Sequence, residues 1–138
     1  MVKTAHPQPP AVVSIAADSE GASAMLEAFS QASALAIIVI DPNGLVRHWN
    51  RAAEEMFGWT AVDAVGRPNP IVPLQTEADY RTVRNRVLTG EILVAEEIRG
   101  QRRDGSLVDL RISSAPLRDS SWDVTGLVAF LEDHRDHR

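Results

Sequence analysis

The stretch Ile37-Ile38-Val39-Ile40-Asp41-Pro42-Asn43-Gly44-Leu45-Val46, running on through Trp49-Asn50-Arg51-Ala52-Ala53-Glu54-Glu55-Met56-Phe57-Gly58-Trp59, decides the fold. Ala36 to Ile40 is a β-branched run that stops at Asp41-Pro42-Asn43-Gly44, where proline presets one turn angle and Asn-Gly tolerates positive φ. Leu45 to Trp49 resumes as a strand, so residues 36–49 read as a hairpin. Asn50 then offers a side-chain oxygen to the free N–H groups of a helix, Arg51 to Phe57, with Glu54 near its positive end. Gly58 is a natural residue to close that helix.

Downstream, Thr60 caps a short turn, Ala61 to Val65, that stops at Gly66 before the helix-hostile Arg67-Pro68-Asn69-Pro70. Glu77 to Leu88 is the best helix in the chain: Tyr80, Val83, Val87 and Leu88 form one face, acids start it and Gly90 closes it, while Arg81, Arg84 and Arg86 occupy the opposite face. The period then changes. Glu91 to Arg99, Ser106 to Leu117 and Trp122 to Leu131 read as three strands joined by Arg103-Asp104-Gly105 and by Asp119 to Asp123. Val108, Leu110 and Ile112 alternate with Asp109 and Arg111, giving one dry and one wet face, whereas the last strand is apolar on both.

Upstream, Met25, Leu26, Phe29 and Ala32 recur at helical spacing over residues 23–34, and this stripe must lie on its own domain or on a partner. Residues 1–22, with Pro7, Pro9 and Pro10, read as a flexible leader. The order of elements predicts an α+β domain: a five-stranded antiparallel sheet, short helices on one face and an N-terminal flanking helix.

With 138 residues, 44% of them hydrophobic, the chain has room for one domain and its core. Fourteen basic against nineteen acidic residues, a net charge of -5, argue against direct contact with nucleic acid, which needs clustered cations. The absence of cysteine excludes disulfides, thiolate metal sites and thiol nucleophiles. The runs Leu35 to Ile40 and Leu127 to Leu131 fall far short of the roughly 20 residues that cross a bilayer. No signal peptide is recognisable, so no membrane partner and a cytoplasmic location are expected.

The quoted stretch resembles the opening strands and first helix of PAS (Per-Arnt-Sim) domains residue for residue. Val65-Gly66-Arg67 matches the next short helix and glycine, Arg103-Asp104-Gly105-Ser106 the usual hairpin turn, and Gly126 through Asp133 the last strand. Many relatives follow that strand with Asp-Ile-Thr; here Asp133 is retained while His134 and Arg135 replace the other two. The resemblance covers residues 23–133 and leaves 134–138 as the start of a linker to an effector. It implies a sensory input domain of bacterial signalling proteins, often dimeric, relaying to a kinase or transcription regulator in the same or another chain.

On that footing the expected ligand pocket is a small, mainly apolar one. Its floor is Ile38, Ile40, Val108, Leu110 and Ile112, its roof Met56, Leu74, Tyr80, Val83 and Val87, and Tyr80, Ser114, Asn69 or Gln75 supply orienting hydrogen bonds to an apolar or amphipathic metabolite. The expected homodimer interface comprises Met25, Leu26 and Phe29 with an outer sheet face of Leu127, Ala129 and Leu131. A ligand-free dimerisation module is the alternative reading.

Cofactor chemistry finds little footing. Some relatives ligate haem through a histidine on the long helix, and Glu77 to Leu88 has none; His48 reads as an outward strand residue, and His134 and His137 as solvated tail. Photoreactive flavin relatives need a cysteine, and Trp49 and Trp59, which could flank a non-covalent flavin, read as core. No metal site is expected. Nor is catalysis: Ser113 and Ser114 lack a neighbouring histidine, and Glu54-Glu55 and Glu96-Glu97 point to different sides of their elements. Arg81, Arg84, Arg86, Arg99, Arg102 and Arg103 read as partners in weak surface ion pairs.

Overall fold

The computed structural model describes residues 20–134, leaving aside the side chains of residues 20–23 and 26. Its elements are α1 (Glu20–Ala32), β1 (Ala36–Ile40), β2 (Val46–Trp49), α2 (Arg51–Phe57), α3 (Ala61–Ala64), a 3-10 turn (Leu74–Thr76), α4 (Glu77–Leu88), β3 (Leu93–Gln101), β4 (Leu107–Arg118) and β5 (Val124–Asp133). The five strands form one antiparallel sheet in the order β2-β1-β5-β4-β3, so the first and last thirds of the chain meet at its centre. The α+β expectation holds.

Asp41 builds the first turn. Its Oδ1 accepts N–H bonds from Asn43 at 2.9 Å and Leu45 at 3.0 Å, and its Oδ2 accepts from Arg47 Nε at 2.9 Å. Gly44 completes the turn at φ 88, a conformation that a side chain disfavours. The next helix starts as its capping residue dictates: Asn50 Oδ1 accepts from Ala53 N at 3.0 Å, and Gly58 ends the helix at φ 83 with its N–H on the Glu54 carbonyl.

Boundaries shift where turn chemistry competes with strand propensity. β3 opens at Leu93 rather than Glu91, because Arg86 holds the Glu91 side chain at the end of α4 and the register slips between Leu93 and Glu96. β5 opens at Val124 rather than Trp122, which sits at φ 71 in a turn closed by its N–H on the Asp119 carbonyl. It runs on to Asp133 because β4 pairs that far, Leu110 opposite Asp133.

α1 spans Glu20–Ala32, so it includes residues ahead of the expected Ser23. The expected leader up to residue 19, the linker residues 135–138 with His137, and the side chain of Leu26 lie outside the described residues.

The core fills the inner face of the sheet. Ala36, Ile38, Ile40, Val46, Trp49, Leu93, Val108, Leu110, Ile112, Leu127, Ala129 and Leu131 pack there beneath Ala53, Phe57, Ala64, Ile71 and Val87 from the helices and loops. Trp49 and Phe57 meet as a tilted aromatic pair, 5.9 Å between centroids. Among the described residues no helix is long and apolar enough to cross a membrane, and no group of three or more His, Asp or Glu side chains could hold a metal ion.

Candidate functional site

A cavity of about 210 Å³ lies between the inner face of the sheet and α4. Strand register decides its floor. Ile38 of β1 stands opposite Ala129 of β5, which stands opposite Ser114 of β4; Ile40 faces Leu127, and Ile112 faces Leu131. All seven line the cavity. α4 supplies the roof through Tyr80 and Val83, with Glu77, Arg81 and Arg84 at its edge, and Pro68 to Val72 close the side next to Gly44. That wall is fastened to the edge strand: Val46 N–H donates to the Arg67 carbonyl at 2.9 Å, and Gly66 N–H to the Val46 carbonyl at 2.7 Å.

Of the expected pocket residues, Ile38, Ile40, Tyr80, Val83, Ile112 and Ser114 come together around the cavity. Four do not. Leu74 is 83% exposed on its 3-10 turn and points to solvent. Val87 and Leu110 are fully enclosed by neighbouring core side chains, and Met56 packs against that core from α2. Gln75 is exposed, whereas Asn69 does reach the cavity.

The assignment of Leu127, Ala129 and Leu131 to an outer sheet face is corrected. They belong to the inner face and line the cavity. The outward residues of β5 are Val128, Phe130 and Glu132, the alternate positions. Met25 and Phe29, by contrast, stand 64% and 68% exposed on α1, as an interface residue requires.

The polar groups of the cavity are only partly engaged. Ser114 Oγ donates to the Val128 carbonyl at 2.8 Å. Tyr80 Oη donates to the Arg99 carbonyl at 2.8 Å, pinning α4 to β3, and burial pushes the phenol pKa up, so it remains a donor at neutral pH. Asn69 Oδ1 accepts from Ile71 N at 3.3 Å.

Arginine pairing divides the expected set. Arg86 bridges Glu91 and Glu96, Arg99 pairs with Asp109, Arg102 with Asp133 and Arg103 with Asp63. Arg81 and Arg84 instead line the cavity. The expected placement of Arg81, Arg84 and Arg86 on the face opposite the apolar stripe is corrected: at about 100° per residue Arg81 and Arg84 fall beside Tyr80 and Val83, whereas Arg86, two residues beyond Arg84, falls on the far side of α4.

The histidines also find partners. His48 faces outward, as expected, and its Nε2 lies 2.8 Å from Ser30 Oγ of α1. His134, expected as solvated tail, folds back: its Nδ1 lies 2.9 Å from Arg111 Nη2 and its Nε2 3.3 Å from a Glu97 carboxylate oxygen. Trp49 is core, and Trp59 lies under the Arg103 guanidinium, 4.8 Å from ring centroid to Cζ. Neither tryptophan lines the cavity.

Two routes lead from the cavity to the ends of the domain. β1 carries Ile38 and Ile40 and is held by Asn50, which also bonds the end of α1: Asn50 Oδ1 accepts from Ile37 N at 2.9 Å, and Nδ2 donates to the carbonyls of Ser30 at 2.7 Å and Leu35 at 3.0 Å. β5 carries Leu127, Ala129 and Leu131 straight to Asp133, which Arg102 holds at 3.5 Å while its Nε donates to the Met56 carbonyl of α2.

Comparison with known proteins places this geometry. The family model described as PAS fold matches residues 24–134. The chain is 29% identical over 109 residues to the sensor protein FixL of Bradyrhizobium diazoefficiens, covering 72% of this chain and 21% of that protein. It is 31% identical over 109 residues to phytochrome A type 4 of Avena sativa, covering 74% and 10%. It therefore spans about a fifth of the first relative's length and a tenth of the second's. Among solved structures, a PAS domain of a Colwellia psychrerythraea protein superposes with a TM-score of 0.70 at 19% identity, over 83% of this chain and 98% of that one. An RNA-binding light-oxygen-voltage receptor superposes with a TM-score of 0.73 at 20% identity, over 94% and 36%.

Proposed function

Since the chain belongs to the PAS family, we propose that it is a non-enzymatic sensory module that takes a small molecule into the cavity beneath α4 and relays its occupancy to an effector such as a kinase or transcription regulator. The observation that carries this reading is the cavity itself, mainly apolar, with Tyr80, Ser114 and Asn69 as polar groups on its lining. Its floor includes β1 and β5, the strands that run towards the two ends of the domain, so a ligand that prefers one arrangement of these strands acts on both exits.

Haem and flavin fit this site poorly. The lining holds no histidine, cysteine or methionine to ligate iron. A volume of about 210 Å³ lies below the roughly 300–1,000 Å³ of sites for drug-sized ligands, and either ring system is at least that large. The serines likewise support a binding role: Ser113 Oγ accepts from Ala95 N and Ser114 Oγ donates to the Val128 carbonyl, and among the described residues neither meets a histidine.

A second reading rests on a separate observation. Met25 and Phe29 present apolar surface on α1, which suits a helix that pairs two chains, so the sensor is proposed as a homodimer through α1.

Native mass spectrometry of the freshly purified protein, beside Val83→Trp, tests the sensory reading. Retained small-molecule mass on the wild type, absent from the folded variant, is the expected result. The same added mass on Val83→Trp would place the ligand elsewhere and overturn it.

A further inference from the structure

Every cationic side chain in a folded domain needs either water or an anion, and buried guanidinium nitrogens need a hydrogen-bond acceptor. Arg47, Arg51, Arg86, Arg99, Arg102, Arg103 and Arg111 all have a carboxylate partner. Arg81 and Arg84 have none among the described residues, and both line the cavity. Arg84 is the sharper case. Among the described residues its buried Nε has no acceptor, and its guanidinium presses so closely on Gly44 that a Cβ built there would collide with Nη1. Glu77 brings one carboxylate to the same edge against two guanidinium groups, and it is paired with neither. The mouth is therefore positive while the floor, from Ile38 and Ile40 to Leu127 and Leu131, is apolar.

A guanidinium Nε buried without an acceptor beside an apolar cavity costs the empty domain free energy, and an anion arriving there offsets that cost. Resting on the sensory reading above, we propose that the ligand is a small monocarboxylic acid with an apolar body: its carboxylate meets Arg84 at the cavity mouth, and its hydrocarbon part lies on the inner face of β1 and β5. Arg81 adds long-range attraction, and Asn69 stands beside the same opening. The cavity's volume of about 210 Å³ restricts the hydrocarbon part to a short chain or one small ring. A guanidinium in place of an ammonium suits a planar carboxylate, because two parallel N–H donors match its two oxygens.

The test uses hexanoate, hexanamide and 1-hexanol as probes, with affinities from calorimetric titration of the whole chain. Hexanoate is expected to bind at least tenfold more tightly than either neutral analogue. Arg84→Met should keep or raise the melting temperature of the empty protein, since it removes an unpartnered buried group, and should weaken hexanoate by about 10- to 100-fold while leaving 1-hexanol unchanged. Arg84→Lys, which keeps the charge but not the fork, should fall between the two. If hexanamide or 1-hexanol binds as well as hexanoate, or if Arg84→Met binds hexanoate undiminished, the carboxylate assignment is wrong and the sensory reading stands. If none of the three probes binds the folded wild type, the carboxylate assignment is overturned, and retained small-molecule mass on the wild type but not on Val83→Trp decides the sensory reading separately.

Discussion

Asn50 Nδ2 donates to the Ser30 carbonyl at 2.7 Å, fastening the last turn of α1 to the cap of α2. With Leu35 O, Ile37 N and Ala53 N the same amide makes four hydrogen bonds, two donated and two accepted, its full complement, in a site with no solvent exposure. A flanking helix, a strand of the cavity floor and a helix start thus share one side chain.

Asn50→Ala leaves two backbone N–H groups and two carbonyls without that partner. The expected loss is about 3 kcal/mol in chemical denaturation, with early proteolysis within α1. Ser30→Ala, which removes only the 2.8 Å contact of its hydroxyl with His48, should cost about 1 kcal/mol and leave the Asn50 bond intact. Equal losses in the two variants would contradict the central place given to Asn50.

Asp41 predicts a pH dependence. Burial raises its carboxyl pKa, but the N–H bonds from Leu45 and Asn43 and the Arg47 guanidinium outweigh it and hold the pKa below the ordinary value. A depressed folded-state pKa means that the stabilisation is complete above the unfolded value near ~3.9 and fades as pH falls through the folded one. Asp41→Ala should therefore cost about 2 kcal/mol at pH 7, with the gap to wild type narrowing only below about pH 4. Urea titrations across that range check it; a gap already closing near pH 6 would assign the effect to another group.

The α1 surface predicts association. Phe29→Glu and Met25→Glu place charge on exposed apolar positions, so each should leave the melting temperature within a few degrees of wild type while shifting sedimentation from dimer to monomer. Wild-type protein that sediments as a monomer at all concentrations would remove the dimer from the proposal.

What could be read in advance was the part governed by neighbours in sequence. The Asp41-Pro42-Asn43-Gly44 turn, the Asn50 cap, the Gly58 stop and the α4 stripe all rest on contacts within a few residues, and all appear in place. The face of β5 was not legible. Val128 and Phe130 are as apolar as Leu127 and Leu131, so alternation carries no phase there; pairing of Ile38 with Ala129 sets it. The cavity's charge was half legible. Helical phase sets Arg81 and Arg84 beside the Tyr80 and Val83 stripe and Arg86 on the other side, but that Arg84 meets Gly44 while Arg86 meets Glu91 and Glu96 depends on how α4 docks. Asn50 was visible as a cap, but its donors to Ser30 O and Leu35 O required α1 to dock.

The central claim, that the space beneath α4 is a ligand site, is tested most directly by methyl-detected NMR of the labelled protein against a broad library of small fragments. Saturable shifts are expected at the methyls of Ile38, Ile40, Ile112, Leu127, Ala129 and Leu131, with carboxylic acids leading the hits. A folded protein in which no fragment moves these methyls, or in which shifts gather instead on exposed Ile92 and Val94, would contradict it.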